Sequence, residues 1–284
     1  TDFLRVVQGA QGTMGIVTWA SVKLELMPSL QKSFFVTASS SEEFDDLIDY
    51  AYTIMKPKLP DECLILNAAD FALIAGLKSV RNLPSWILLY TLSGYEYFPE
   101  ERVDYIEKDI ADMTACLRVQ PVWDLEGIAA DNIIKMVRKP SEEPYWKNIW
   151  KEACMDIFCI TTLDRTKELI GIMEAQISKH GFAKEFLGIY IQPIQHGRNC
   201  HLEFNLMYDS KSAQEENIVK CVFESASAAL INHGAFFSRP YGIWSDLVYK
   251  RDPKTVKALH LVKEIHDPKW IFNPGKLCFK KEGV

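Results

Sequence analysis

Apolar and polar positions alternate along several short stretches of this chain, and the segments between them switch to a helical period. Ile16 to Leu26 (IVTWASVKLEL) alternates apolar with small or polar residues and halts at Met27-Pro28, which predicts a strand running into a connector. Lys32 to Ala38 (KSFFVTA) predicts a second strand. Ser39-Ser40-Ser41 followed by Glu42-Glu43 then supplies cap residues for a helix through about Met55. Phe44, Leu47, Ile48, Ala51 and Tyr52 recur at the spacing that puts them on one face of that helix. Cys63 to Ala68 and Trp86 to Ser93 read as further strands, and Pro99 opens a helix through about Leu117.

The order strand, helix, strand, strand, helix then recurs. Ile157 to Thr161 is a short strand and Asp164 to His180 a helix stopped by Gly181. Gly188 to Pro193 and Arg198 to Tyr208 are strands, and Ala213 to His233 is a helix stopped by Gly234. Two copies of a split β-α-β order predict an α+β fold: an antiparallel sheet with helices on one face, a duplicated ferredoxin-like arrangement. Leu125 to Trp150, rich in charge and tryptophan, is read as helices linking the halves. Within it Trp146 and Trp150 read as packing residues rather than a substrate wall. Glu100-Glu101 and Glu142-Glu143 read as solvated helix starts. A last helix spans Pro253 to Ile265, followed by a turn-rich terminus.

Composition narrows the function classes. With 48% hydrophobic residues in 284, the chain can bury a substantial core. A net charge of −6 and a pI of about 5.6 argue against nucleic acid or an acidic membrane surface as the main partner. The seven cysteines form no CxxC pair, and their odd number rules out complete internal pairing, so reduced thiols and a cytoplasmic setting are expected. No apolar run reaches membrane-spanning length.

Two end motifs carry the chemistry. Near the start, GAQGTMGIVT places Gly9, Gly12 and Gly15 at intervals of three, ahead of a strand rather than a helix, which is not the dinucleotide fingerprint. Near the end stands DPKWIFNPGKL. Together these resemble the marks that bracket the C-terminal half of the FAD-linked oxidases of the vanillyl-alcohol oxidase, glycolate oxidase and D-lactate dehydrogenase group, GSEGTLGIIT and DPxxIxNPGKL. The first retains Gly9, Gly12, Thr13, Gly15, Ile16 and Thr18, with Ala10 and Gln11 replacing Ser and Glu. The second retains Asp267, Pro268, Ile271, Asn273, Pro274, Gly275, Lys276 and Leu277.

The resemblance implies that Gly12, Gly15 and Ile16 touch FAD through backbone atoms, where bare backbone lets an anionic or planar group approach. It implies that Asn273 and Lys276 return to the same cofactor. It also implies three parts: 1–29 as a C-terminal remnant of an FAD-binding domain, 30–245 as the substrate domain, and 246–284 as a helical tail returning to the FAD site. Most of the family's FAD domain precedes the region matched here, so the chain reads as a portion of a longer polypeptide, inactive and without its FAD when isolated.

Two internal stretches hold candidate site residues. In QHGRNCHLEFN, strand geometry puts His201, Glu203, Asn205 and Met207 on one face and Leu202, Phe204, Leu206 and Tyr208 on the other, the core face. The polar face is either solvated or lines a cavity. The glycolate oxidase branch carries HxGxGNLH here and a later GEHG, which hold a divalent metal. This chain has its first histidine displaced to His196 and reads Ser238-Arg239-Pro240-Tyr241-Gly242 in the later place, so no metal is expected. His201 with Glu203 is also the HxE of zinc deaminases, but the completing PCxxC is missing. Phe236-Phe237 predicts a strand leading into SRPYG, where the family places substrate-facing groups.

The resemblance therefore implies an FAD-dependent oxidoreductase taking hydride from a hydroxyl-bearing carbon of a small hydroxylated substrate, first a 2-hydroxy acid and second a phenolic or aromatic alcohol. His201 is expected as base or hydrogen-bond partner, Glu203 as its orienting group and Tyr241 as a donor. Arg239, Arg198 and His196 are expected to bind the substrate. The electron acceptor stays open, as does homo-oligomerisation. The competing reading is a substrate-binding or interaction module without activity of its own.

Overall fold

A computed structural model describes residues 3–139 and 145–279, so Glu142 and Glu143 lie outside the described residues. The elements in chain order are α1 (Phe3–Val7), β1 (Leu30–Ala38), α2 (Ser41–Met55), β2 (Glu62–Asn67), α3 (Ala68–Ile74), β3 (Trp86–Gly94) and α4 (Pro99–Thr114). The short strands β4 (Pro121–Val122), β5 (Asp124–Leu125) and β6 (Ile128–Ala129) lead to α5 (Ala130–Arg138) and a one-turn 3₁₀ helix at Trp146–Asn148. Then come β7 (Ala153–Thr161), α6 (Thr166–His180), β8 (Leu187–Ile194), β9 (Asn199–Tyr208), α7 (Ala213–Asn232), α8 (Ile243–Tyr249) and α9 (Pro253–His266).

Contacts divide these into a central unit, Leu26–Ala226, and a terminal unit made of Thr1–Glu25 and Ser227–Val284. Residues 227–245, placed with the substrate domain by the sequence reading, cluster with the terminal segments.

The central unit is built on a sheet of order β4-β1-β3-β2-β8-β9-β7, antiparallel between every paired strand. The duplication is visible in that order: β1-β3-β2 mirrors β7-β9-β8, and the halves meet through the short pairing Ile65↔Ile191 and Leu66↔Tyr190. Helix α2 starts where its sequence says it should, with Ser40 Oγ accepting from Glu43 N at 3.1 Å and the Glu43 carboxylate accepting from Ser40 N. Its buried face is Phe44, Leu47, Ile48, Tyr50, Ala51 and Ile54. Tyr52 is exposed, because Tyr50 is drawn inward instead, with its ring near Tyr90 and the two hydroxyls 3.2 Å apart.

The long helices α2, α4 and α6 lie on one face of this sheet. The other face is partly covered too, which the pattern did not show: α3 and α5 pack Phe71, Ile74, Ile133 and Ile134 onto Phe35, Leu64, Leu66, Ile87 and Leu89. Asn67 fixes α3 there. Its Oδ1 accepts from Asp70 N, capping α3, and from Ile189 N, while its Nδ2 donates to Leu187 O at 2.8 Å, extending the join between β2 and β8.

Two predicted strands are absent. Residues 16–26 form no ladder among the described residues, and Ile16, Val17, Trp19, Val22, Leu24 and Leu26 are all exposed. Alternation specifies two faces, not a neighbour to pair with. Phe236 makes only an isolated bridge. Phe237 is buried against Trp244 at 4.8 Å, whose indole donates to Ser227 Oγ, so packing decides this stretch. Among its described residues the linking region holds one α-helix, a small β5–β6 hairpin and the 3₁₀ turn rather than helices throughout. Trp146 and Trp150 do pack inward, Trp150 Nε1 donating to Leu77 O at 2.7 Å.

Candidate active site

The face of β9 opposite the long helices carries a chain of polar contacts. His201 Nε2 lies 2.9 Å from Glu203 Oε2, and Glu203 Oε1 takes a 2.5 Å contact from Lys147 Nζ, which also reaches Asp156 Oδ2 at 2.8 Å. Further along, Asn205 Nδ2 donates to Asp70 Oδ2 at 2.8 Å. Exposure falls along the strand: the side chains of His201 and Glu203 keep 19% and 17%, and Asn205 keeps none. His201 sits between two rings, Phe158 at 5.9 Å and Tyr190 at 6.1 Å. The polar face is therefore neither freely solvated nor closed. Along β9 it is wettest at His201, while Asp156 on β7 is more exposed still.

Charge in this layer is set by burial against pairing. Burial opposes ionisation of Glu203, but the His201 and Lys147 contacts outweigh it and hold the carboxyl below its usual range. Burial likewise disfavours charge on Lys147, and Glu203 and Asp156 together override it, raising the ammonium. Burial pushes Asp70 up to about 7, against the Asn205 hydrogen bond and the charge of Lys147. An ionised Glu203 only accepts, so the neutral His201 tautomer that suits the 2.9 Å contact is the one with its proton on Nε2. The strand next door makes room: a Cβ at Gly188 would fall 1.9 Å from Asp70 Oδ1. Asp70 Oδ1 and Asn205 Oδ1 are buried without a hydrogen-bond partner among the described residues.

Lys147, Asp70 and Asp156 were missed by the sequence reading. Asp70 hides in an apolar helix, AADFALI, and Lys147 between two tryptophans, so neither shows a pattern. His196 and Arg198 belong to the β8–β9 turn and are exposed. His196 Nδ1 lies 3.3 Å from Lys56 O at the end of α2, so the structure does not bring His196 to His201. Among the described residues no three His, Cys, Asp or Glu side chains are arranged to hold a metal ion.

The terminal unit holds a second constellation. Gly12, Gly15, Ile16 and Asn273 are among the residues that line a pocket of about 420 Å³. Gly12 has φ +73°, open to glycine at little cost, and Asn273 Nδ2 donates to Gln11 O at 2.5 Å beside it. A Cβ at Gly15 would meet nothing within 4 Å, so the space beyond that backbone is empty. Lys276 is exposed and does not line the pocket.

Lys263 fastens the two motifs to each other. It is fully buried, and its ammonium uses all its protons, on Thr13 O at 2.5 Å, Asp267 Oδ2 at 2.5 Å and Phe272 O at 3.1 Å. In the same unit Gln11 Nε2 donates to Pro240 O at 3.2 Å, joining the glycine loop to the segment that bears Arg239 and Tyr241, both exposed. Among the described residues no helix is long and apolar enough to span a bilayer.

Comparison with known proteins gives a concordant picture. The family described as FAD linked oxidases, C-terminal domain, matches residues 42–277. The D-2-hydroxyglutarate dehydrogenase of Stutzerimonas stutzeri (strain A1501) is 24% identical over 299 residues, covering 97% of this chain, which spans 58% of that relative. Among solved structures, the 4-ethylphenol oxidase of Gulosibacter chungangensis in complex with isoeugenol superposes with a TM-score of 0.73 at 13% identity, covering 90% of this chain and 55% of its own. The p-cresol methylhydroxylase with substrate bound gives 0.68 at 15% identity, with 89% and 53% covered. At these identities the structural matches establish the antiparallel α+β architecture alone.

Proposed function

Because the chain belongs to the family of FAD linked oxidases, C-terminal domain, we propose that it is the substrate-domain portion of an FAD-dependent oxidoreductase acting on a hydroxyl-bearing carbon, with small 2-hydroxy acids as the substrate class. The observation that carries the reading is the His201–Glu203 contact of 2.9 Å on a half-buried face, a base with its orienting carboxylate. The relative named for 2-hydroxyglutarate supports the substrate class.

The terminal pocket fits part of such a cofactor: bare backbone at Gly12 and Gly15, with the Asn273 amide beside Gly12. Bound FAD supplies the acceptor for the hydride leaving the carbon. His201 takes the hydroxyl proton at Nδ1 as the hydride leaves, and Glu203 holds the Nε2 proton and offsets the positive charge that develops on the ring. In the full-length protein Arg198 and Arg239 are each proposed as anion binders for the substrate, and Tyr241 as a hydrogen-bond donor. A phenolic or aromatic alcohol is the second reading, favoured by the Phe158 and Tyr190 rings flanking His201.

Absorption spectra test this. A polypeptide joining the FAD domain to this chain is expected to purify yellow, and its flavin to bleach anaerobically with a D-2-hydroxy acid. The 284-residue chain alone is expected to do neither. Bleaching by aromatic alcohols and by no 2-hydroxy acid rejects the first substrate class, and turnover by the isolated chain rejects the divided site.

A further inference from the structure

We infer that Lys147, through Glu203, fixes which nitrogen of His201 carries the proton. Its meaning for catalysis rests on the reading above, but the geometry stands independently. Lys147 is 6% exposed, and its ammonium bridges carboxylates from neighbouring strands, Glu203 Oε1 on β9 and Asp156 Oδ2 on β7. With Oε1 held, Glu203 has one free oxygen, and that oxygen faces His201 Nε2. An ionised carboxylate only accepts, so it selects the imidazole tautomer that donates from Nε2 and leaves the lone pair on Nδ1.

The groups facing this pair from each packed element are Asp156 and Cys154 on β7, Tyr190 on β8, Asp70 on α3 and Tyr145 before the 3₁₀ turn. Lys147 is the cation among them. Without it, Glu203 and Asp156 are like charges on a half-buried face, and one of them takes up a proton or turns away. A protonated Glu203 both donates and accepts, so the selection is lost. Lys147 is thus a positioning residue.

Nitrogen-15 histidine spectra of the 284-residue chain read this without turnover. The His201 signals are assigned by their loss in His201→Gln, at about pH 8, above the ordinary histidine range. The wild type is expected to show one tautomer with the proton on Nε2, Lys147→Arg the same, and Lys147→Met a mixture with Nδ1 and Nε2 shifts moved toward each other. In an FAD-loaded full-length protein, Lys147→Met is expected to lower kcat about tenfold with KM little changed, and Lys147→Arg to recover most of it. If Lys147→Met does not fold, Lys147→Gln carries the same test, keeping a donor but no charge. A folded Met or Gln variant with unchanged His201 shifts overturns the inference. A changed tautomer alongside turnover indifferent to His201 supports the positioning role and removes the proposed reaction.

Discussion

Lys263→Met is expected to speed hydrogen exchange at the Ile271 and Phe272 amides by about a hundredfold or more, the loss that follows removal of one member of a buried ion pair. The expectation rests on arithmetic of donors. Lys263 satisfies Thr13 O, Phe272 O and Asp267 together, and methionine fills the volume while leaving all of them without that donor. Asp267 in turn accepts from Ile271 N at 2.9 Å and Phe272 N at 2.8 Å, so the loop bearing Asn273 hangs on the same carboxylate. Burial works to raise Asp267, but Lys263 and these amides outweigh it and bring it down to about 2. A carboxyl lowered in the folded state contributes stability above its ordinary value near 3.8, lost as pH falls from there toward 2. Acid should therefore loosen the wild-type loop across that window, and Lys263→Met should flatten the dependence. Exchange rates unchanged by the substitution would remove Lys263 from this role.

His201→Gln in the full-length protein is expected to slow reduction of the flavin by substrate by about 10²- to 10⁴-fold at saturation, the range for removing a general base. Glutamine keeps a donor for Glu203 and approximates the ring's reach, so the polar layer behind it, Lys147 to Asp156 and Asn205 to Asp70, stays paired. FAD content should not fall, because the residues assigned to the cofactor belong to the terminal unit and His201 to the central one. Stopped-flow traces of flavin bleaching give the rate. A rate within a factor of about two of wild type shows that His201 transfers no proton in the step.

Much of the sheet was legible because local signals agreed. Ser40 and Glu43 announced α2, Gly181 ended α6 in the left-handed conformation, the short apolar runs of β1, β3 and β8 read as strands, and β9 showed an alternation that matched real partners. Ile16 to Leu26 shows the limit of that signal, since its alternation runs past exposed tryptophan and leucine with no ladder beside it among the described residues. The site was half legible. His201 and Glu203 were readable as neighbours two apart on one strand, whereas Lys147 and Asp70 arrive from elements far along the chain. Their partners are set by tertiary packing. Lys263 looks like any helical lysine beside an acid at i+4, and only burial reveals that it holds the two end motifs to each other.

The central claim is that His201 is the group that receives the substrate's hydroxyl proton. A structure of the FAD-loaded full-length protein with a substrate analogue tests it most directly. The account predicts the analogue's hydroxyl oxygen within about 2.6–3.2 Å of His201 Nδ1, directly or through one water, with Nε2 still on Glu203. A hydroxyl held by other side chains, with Nδ1 turned away from it, would contradict the account.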